Sequence, residues 1–255
     1  TPDGPATGRI DWSGDVTVTT WGPGADHATA SLRAMTAVDR CPPRLPEVYP
    51  QITDAARRVR GLCAGASGDL YHALLPTILQ QRITAREGIA QWRRLAIALG
   101  ESAPGPFPGL LLPPDPADLA RRPVWWFHHL GIEGRRARTL IEVAKVARHL
   151  WEWAADPAVA ARKLALLRGV GPWTIAMVLG PACGDDDAVV TGDLHFPNIV
   201  AWNLVGEPRG SDERMLELLE PYRPYRGLAL QLVLATGRRP PAFGPKHRIV
   251  PIHRF

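Results

Sequence analysis

The sequence predicts a mainly α-helical fold with a small β segment at its N-terminus. After about residue 25, apolar residues recur at the three- and four-residue spacing of helices that face a core. Aspartate followed by proline, as at Asp115-Pro116 and Asp156-Pro157, marks helix starts, because aspartate caps free N–H groups and proline fits the first turn. Before residue 25, apolar and polar residues alternate between glycines, which is typical of short strands.

The pattern divides the chain into three parts and predicts an α+β protein overall. Residues 1–25 form a partial N-terminal sheet, residues 26–64 a helical and proline-rich connection, and residues 65–255 a helical domain with a hairpin at 167–174. Two strands are too few to be stable alone, so the sheet is expected to pack on the helical part. Further helices are predicted near residues 134–153, 157–167, 172–181, 195–204, 211–220 and 225–237.

Composition narrows the classes of function. The 255 residues carry a net charge of +5, with a pI near 9.5, which is consistent with a polyanionic partner. Nearly all of the positive charge is arginine, which suits phosphate contacts, although coding bias explains the excess equally well. The three cysteines lack metal-ligand spacing, and no apolar run approaches the about 18–20 residues of a membrane span. Since the start lacks a signal-peptide pattern, a cytoplasmic protein is expected.

The segment LRGVGPWT, residues 167–174, predicts a tight hairpin between two helices. Glycine permits a left-handed backbone and exposes bare N–H groups, and Pro172 opens the second helix. Free N–H groups and the positive end of the helix dipole together suit a phosphate. A plain turn between helices, capped by glycine, explains this segment equally well when it is taken alone.

The segment VVTGDLHFP, residues 189–197, places Asp193 where a new helix is expected to begin. One interpretation is a helix-capping aspartate without a chemical role, and the other is a catalytic carboxylate. The nearby Asp185, Asp186 and Asp187 are interpreted as solvated turn residues.

Together these motifs resemble the helix-hairpin-helix DNA glycosylases, in particular the alkylation-repair branch of 3-methyladenine DNA glycosylase II. The resemblance spans roughly residues 65–245 and includes ILQQRIT, LRGVGPWT, GDLHFP and LEPYRPYRGLALQLV. It implies the helix-hairpin-helix DNA glycosylase fold, with the N-terminal strands as a remnant of the partial sheet that this branch carries. It also implies that the protein acts in base excision repair, with double-stranded DNA containing damaged bases as its partner. A monomer without a required cofactor and without a membrane partner is expected.

In that family the damaged nucleotide is flipped out of the duplex and its N-glycosidic bond is hydrolysed. Asp193 matches the catalytic aspartate, which stabilises the positive charge that develops on the sugar. Trp173 stands where bifunctional relatives carry a Schiff-base lysine, so the resemblance implies a monofunctional enzyme without AP-lyase activity. An indole face attracts cationic bases, so alkylated purines such as 3-methyladenine are the expected substrates.

The resemblance also assigns candidates for the base pocket. These are Trp173, Met177, Trp125, Trp126 and Leu234. Met177 and Leu234 stand where relatives carry aromatic residues, and Trp125 and Trp126 supply either another wall or part of the core.

Candidates for DNA contact follow from the same comparison of motifs. They are Arg82, Gln81, Arg168, Gly169, Val170, Gly171, Thr174 and His195. Arg82 is the candidate wedge for the base stack or a surface contact to phosphate, and Gln81 either holds that loop or contacts the opposite base. A monovalent cation, Na⁺ or K⁺, is the candidate ion at the backbone of Arg168 and Val170. Three arginines near a helix start, either phosphate contacts or a solvated cluster, are Arg135, Arg136 and Arg138.

Other functions stay open at this point. The same enzyme class includes glycosylases for deaminated or oxidised bases. A second alternative is a non-catalytic hairpin protein that senses damaged DNA. Such a protein would not need a carboxylate at the sugar, which is the role considered for Asp193. A helical protein-interaction domain with an incidental glycine turn would show no salt-dependent DNA binding.

Overall fold

The computed structural model describes residues 1–59 and 61–241, and within these ranges the chain is mainly α-helical with one two-stranded sheet. This confirms the predicted fold class. The strands are β1 (Thr7–Asp11) and β2 (Thr17–Trp21). The α-helices are α1 (Ala25–Met35), α2 (Pro50–Arg58), α3 (Leu70–Leu79), α4 (Ala85–Leu99), α5 (Pro116–Arg121), α6 (Gly134–Lys145), α7 (Ala147–Ala154), α8 (Pro157–Leu164), α9 (Pro172–Cys183), α10 (Phe196–Val205), α11 (Asp212–Leu219) and α12 (Arg226–Ala235), with 3₁₀ helices at Val124–Leu130 and Glu220–Tyr222. No helix in the described ranges is both long and apolar enough to cross a membrane.

The N-terminal strands form a hairpin that packs on the first helix. β1 and β2 are antiparallel, with Thr7 opposite Trp21. Gly8 lets α1 lie close to the sheet, because a Cβ at this position would be 2.0 Å from Leu32 Cδ1. The strands predicted in the first 25 residues are therefore present, and a helix covers them.

The larger hydrophobic core is built around α3. Its apolar stripe is completely buried and consists of Leu70, Leu74, Leu75, Ile78 and Leu79. Asp69 caps the helix by accepting a hydrogen bond from the His72 N–H at 2.9 Å. Helices α4, α6, α7 and α9 pack against α3, so this helix is the centre of the first core.

A second core joins the C-terminal helices to α2. Ile52 of α2 is completely buried in one cluster with side chains of α10, α11 and α12. The Tyr222 hydroxyl accepts a hydrogen bond from the Tyr49 N–H at 3.0 Å, immediately before α2 begins. The stretch predicted as a connection therefore also supplies a core helix.

Helix α9 lies between the two cores. Its Val178 and Leu179 belong to the first core, whereas Trp173 and Met177 pack against the second. Successive residues of a helix point in different directions, so one apolar helix can serve two cores. The start of α9, which follows the hairpin, is thereby fixed from both sides.

The single helix predicted across residues 134–153 is two helices, α6 and α7. They meet at Val146, whose N–H bonds to Val143 O at 3.2 Å in a tighter turn. The break keeps Val143 of α6 and Leu150 of α7 buried in the same core. Neither proline nor glycine marks this position, so the sequence pattern does not predict the break.

Two of the three aspartates interpreted as solvated turn residues are instead engaged by distant partners. Asp186 is buried, forms an ion pair with Arg40 and accepts from the Ala64 N–H at 2.8 Å. Asp187 forms an ion pair with Arg226 at 2.6 Å and accepts from its backbone N–H at 3.0 Å. The interpretation is wrong for both, because residues far away in sequence surround them. They anchor the loop between α9 and α10, which carries the Thr-Gly-Asp segment.

Candidate active site

An open cleft of about 1330 Å³ lies where the hairpin, the α3–α4 loop and the turn before α10 meet. Its described lining contains five arginines, which are Arg82, Arg135, Arg136, Arg209 and Arg239. The acidic residues that line it are Glu133 and Asp193. Because positive charge predominates on a concave surface, the cleft attracts polyanions.

The hairpin reaches the cleft through the start of α9. Gly169 has a left-handed backbone with φ of 90°, and a Cβ there would lie 2.0 Å from Thr139 Oγ1. Both the backbone angle and the close packing therefore require glycine. Gly169, Val170 and Gly171 line the cleft just before α9, which begins at Pro172. Since the first N–H groups of a helix have no acceptor within it, this end can bind an anion.

Gln81 joins the α3–α4 loop to the hairpin. Its Nε2 donates to Gly169 O at 3.0 Å and to Thr174 Oγ1 at 2.8 Å. These bonds cross 88 and 93 residues of sequence, so they connect two loops that different helices carry. Gln81 therefore holds the loop, which is one of the two roles considered for it.

Arg82 has a left-handed backbone with φ of 60°, a conformation that costs a residue with a side chain about 1–2 kcal/mol. The residue is exposed and lines the cleft next to Gln81. Behind it, Gly88 packs so closely on the loop that a Cβ would be 2.5 Å from Gln80 Cγ. A strained and exposed residue on a tightly packed loop is typical of a functional position.

Arg136 belongs to the interior of the protein, although a small part of it borders the cleft. It is 4% exposed, and its Nη1 donates to Leu79 O and to Gln91 Oε1, both at 2.7 Å. Burial lowers the pKa of its guanidinium. Gln91 in turn donates to Gly131 O at 2.6 Å. Both interpretations considered for Arg136, a phosphate contact and a solvated position, are wrong, because this buried side chain holds the end of α3 from which the loop with Arg82 extends.

Asp193 accepts three N–H groups. Its Oδ2 accepts from Trp173 Nε1 at 3.0 Å, and its Oδ1 accepts from the backbone N–H groups of His195 and Phe196 at 2.8 and 3.1 Å. The carboxylate thus accepts the N–H of Phe196, the first residue of α10, although His195 holds the N-cap position, and it also lines the cleft. Support of the helix start and availability to a ligand are therefore compatible for this residue.

Solved structures resemble this chain, whereas no protein-family model and no curated protein matches it. The 3-methyladenine DNA glycosylase of Archaeoglobus fulgidus has a TM-score of 0.71 at 19% identity, over 90% of this chain and 82% of that chain. The 3-methyladenine DNA glycosylase of Schizosaccharomyces pombe, solved with abasic DNA, has a TM-score of 0.62 at 16% identity, over 75% and 93%. The 8-oxoguanine glycosylase/lyase of Clostridium acetobutylicum, solved with double-stranded DNA containing 8-oxoguanine, has a TM-score of 0.64 at 14% identity, over 90% and 81%.

The chain has the helix-hairpin-helix DNA glycosylase fold. This confirms the fold that the resemblance in sequence implies. Of the residues expected to form a base pocket in the glycosylase fold, Trp173 lines the cleft. Met177 and Leu234 are partly buried against the second core.

Two tryptophans expected near the pocket lie elsewhere. Trp126 packs beside the Arg122 guanidinium, which is 5.0 Å from its ring centroid, and edge-on to Phe127. Trp125 is 76% exposed. Neither lines the described cleft, because the 3₁₀ helix that carries them directs one towards the first core and the other outwards.

Most of the residues expected to contact DNA in the glycosylase fold line the cleft, namely Gln81, Arg82, Gly169, Val170, Gly171, Thr174 and His195. Arg168 is exposed on the hairpin but is not one of the cleft residues. Thr174 requires a correction, since its side chain is buried against Gln81 and is not free for DNA. Arg135 and Arg138, at the start of α6, are exposed.

The hairpin backbone fits a monovalent cation. Gly169 O already accepts a hydrogen bond from Gln81. Within the described ranges, the carbonyl oxygens of Arg168 and Val170 accept no hydrogen bond. Carbonyl oxygens with free lone pairs are the ligands that K⁺ and similar ions take from a protein backbone.

Asp212 holds the turn next to Asp193, a contact that sequence reasoning misses. Its Oδ2 accepts the Gly192 N–H at 2.8 Å, directly before Asp193. The sequence Gly-Ser-Asp-Glu at residues 210–213 is typical of a helix start and gives no sign of this longer contact.

Proposed function

We propose that this protein is a monofunctional DNA glycosylase that removes alkylated purines of the 3-methyladenine type from double-stranded DNA. The observation that carries the proposal is the position of Asp193, whose carboxylate lines a positively charged cleft beside the hairpin and accepts a hydrogen bond from Trp173. The proposed enzyme is a monomer, requires no cofactor and performs the first step of base excision repair.

The charge and shape of the cleft support DNA binding through the phosphate backbone. Four exposed arginines outnumber two acidic residues there, and the start of α9 presents N–H groups to an anion. A phosphate is expected at the hairpin. There the carbonyls of Arg168 and Val170 would hold a monovalent cation, which would reduce the repulsion between these carbonyl oxygens and the phosphate. Because phosphate contacts release counterions, the affinity is expected to fall steeply as salt increases.

The conformation of Arg82 supports base flipping. Extrusion of a nucleotide costs a few kcal/mol of unstacking, and a side chain inserted into the gap recovers part of that free energy. Arg82 is exposed at the cleft, while Arg136 and Gln81 hold the end of α3 and the residue directly before Arg82. A loop held in this way loses little conformational entropy when its side chain enters the duplex.

The surroundings of Asp193 support hydrolysis at C1′. As the bond between C1′ and the base nitrogen lengthens, positive charge develops on the sugar, and a carboxylate beside it lowers the barrier. The base leaves with the electron pair of that bond, water adds to C1′, and the water proton passes to the carboxylate or to solvent. A carboxylate has about four lone-pair sites, so three N–H donors orient Asp193 and leave about one site for the sugar or water.

The distribution of lysine supports a monofunctional enzyme. Strand cleavage requires an amine that forms a Schiff base with the sugar. No lysine lines the cleft among the described residues. Lys145 pairs with Glu142 at 2.7 Å on α6, Lys163 lies on α8, and Lys246 lies outside the described residues. Trp173 occupies the start of α9 instead.

Trp173 supports a cationic purine as the substrate. Its ring lines the cleft beside Asp193, and an indole face attracts a cation by about 0.5–2 kcal/mol. A cationic base is also a good leaving group, so the pocket needs few hydrogen bonds to the base. The alternative substrate is an oxidised base, because the 8-oxoguanine glycosylase/lyase of Clostridium acetobutylicum shares the fold.

Base release tests the proposal. Excess protein is incubated with duplexes that contain 3-methyladenine, 7-methylguanine, 8-oxoguanine or uracil, and released bases and strand breaks are measured separately. We expect methylpurines to be released at least about 100-fold faster than the other bases, with breaks only after alkali or heat. Release of 8-oxoguanine alone supports the alternative, strand breaks without alkali contradict a monofunctional enzyme, and DNA binding without release of any base indicates a sensor.

A further inference from the structure

A second carboxylate holds the turn that carries Asp193. Gly192 has a left-handed backbone with φ of 77°, and its N–H donates to Asp212 Oδ2 at 2.8 Å. The bond crosses 20 residues and joins this turn to the first residue of α11. Hydrogen bonds from a backbone N–H to an ionised carboxylate are among the stronger ones in proteins.

Helix α11 has a cap other than Asp212. Ser211 accepts a hydrogen bond from the Arg214 N–H at 3.2 Å and thereby caps the helix. Asp212 Oδ1 is buried and has no hydrogen-bond partner within residues 1–59 and 61–241. The helix dipole favours an acidic residue in the first turn of α11, but burying a carboxylate oxygen without a partner costs free energy, so the burial of this side chain needs a further reason. The contact with Gly192 gives that reason.

A second bridge connects the same two segments. Asn198 Oδ1 accepts from the Gly210 N–H at 2.9 Å, and Asn198 Nδ2 donates to Leu194 O at 3.2 Å. Gly210 also lies close to α10, since a Cβ there would be 2.6 Å from Pro197 O. The segment before α11 is therefore fixed against the turn, so Asp212 meets the Gly192 peptide from a rigid support.

We infer that Asp212 is a positioning residue, which fixes the Gly192 peptide and so directs the Asp193 carboxylate into the cleft. Its effect on the reaction rate rests on the proposed function, whereas its effect on the turn can be measured without catalysis. A reacting group displaced by about 1 Å loses about 100-fold in rate. Because the hairpin and the arginines bind the DNA backbone, loss of Asp212 is expected to spare affinity.

Three variants separate this role from a general effect on α11. Asp212→Ala removes the acceptor, and Asp212→Asn keeps an acceptor oxygen without the charge. Ser211→Ala is the matched control, because it weakens the start of the same helix but leaves the bond to Gly192 in place. Each variant is measured by amide hydrogen exchange at Gly192, by single-turnover release of a methylated purine, and by affinity for a duplex with an abasic-site analogue.

We expect Asp212→Ala to accelerate exchange at Gly192 by at least about tenfold and to slow base release by about 10- to 100-fold, with affinity unchanged within about twofold. Asp212→Asn is expected to recover most of both losses, and Ser211→Ala to change neither. The inference is overturned if Asp212→Ala leaves exchange at Gly192 unchanged, or if Ser211→Ala produces equal losses. If the wild-type protein releases no base while the exchange pattern is as expected, the proposed function fails and the positioning of the turn by Asp212 stands.

Discussion

Trp173 donates its indole N–H to Asp193 Oδ2 at 3.0 Å, across 20 residues of sequence. The bond joins the second residue of α9 to the turn before α10. The hairpin that is proposed to bind a phosphate and the carboxylate that is proposed to act on the sugar are therefore fixed relative to each other. A strand held at the hairpin would present its sugar to Asp193 at a constant distance.

Replacing Trp173 with phenylalanine tests this bond. Trp173→Phe keeps an aromatic ring but removes the N–H, and a hydrogen bond to a charged group contributes about 1.5–3 kcal/mol. Single-turnover base release is therefore expected to fall about 10- to 100-fold, with little change in DNA affinity. Trp126→Phe, which alters a tryptophan outside the cleft, is the control and is expected to keep the wild-type rate. A Trp173→Phe protein that is as fast as the wild type would show that the bond has no part in the reaction.

Removing the Gln81 side chain is expected to separate the hairpin from the loop that carries Arg82. Gln81→Ala loses the bonds to Gly169 O and Thr174 Oγ1, so the hairpin amides should exchange faster and the free energy of unfolding should fall by about 1–2 kcal/mol. Affinity for an abasic-analogue duplex is expected to fall as well, because the hairpin becomes less ordered. The neighbouring Gln80→Ala, which loses a bond to Pro76 O within its own helix, is the control. Equal effects of the two substitutions would contradict the bridging role of Gln81.

The left-handed backbone of Arg82 predicts that two substitutions at this residue differ in stability but not in activity. Arg82→Gly and Arg82→Ala both remove the candidate wedge, but only glycine relieves the backbone strain. The glycine variant is expected to be more stable than the alanine variant by about 1 kcal/mol in urea unfolding, and both variants are expected to release base equally slowly. A base-release rate in the alanine variant equal to that of the wild type would remove Arg82 from the mechanism.

The ion pair between Asp187 and Arg226 predicts a pH-dependent contribution to stability. Burial by itself raises the pKa of the Asp187 carboxyl, but the hydrogen bonds and charge of Arg226 outweigh it and hold the pKa below its usual range. A lowered pKa in the folded state means that the contribution is present above about pH 4 and is lost as pH falls through the folded pKa. Asp187→Asn is therefore expected to cost about 1–2 kcal/mol at pH 7 and progressively less towards pH 3 in urea unfolding.

The control for this prediction is Asp39→Asn. Asp39 pairs with Arg33 at an exposed site, where ion pairs contribute little to stability. A destabilisation by Asp187→Asn that is as large at pH 3 as at pH 7 would contradict the assignment to charge.

Local signals account for the parts of the structure that the sequence predicts. Asp156 and Pro157 form the predicted start of α8, because capping and the proline constraint act within one turn. The glycine hairpin and the spacing from Trp173 to Asp193 likewise lie in one short stretch of sequence. That stretch also carries the resemblance to the glycosylases, so the fold could be predicted from it.

Contacts between distant segments account for the errors. The sequence pattern predicts that Arg136 lies at the surface next to Arg135. Its partners Leu79 and Gln91, however, lie 57 and 45 residues away in the sequence. The contact of Asp212 with Gly192 has no local signature either, because the aspartate stands at an ordinary helix start. Tertiary packing decides whether such a polar residue faces solvent or holds a site.

Base release by Asp193→Asn tests the central claim most directly. Asparagine keeps one oxygen that can accept the His195 and Phe196 N–H groups, but it lacks the negative charge and the second oxygen, which accepts from Trp173; fold and DNA affinity should be retained. Under single-turnover conditions on a duplex containing 3-methyladenine or 7-methylguanine, we expect wild-type protein to release the base and the variant to be slower by at least about 100-fold, with equal affinity for an abasic-analogue duplex. Release by Asp193→Asn at the wild-type rate, with DNA binding intact, would contradict the assignment of this carboxylate to the reaction.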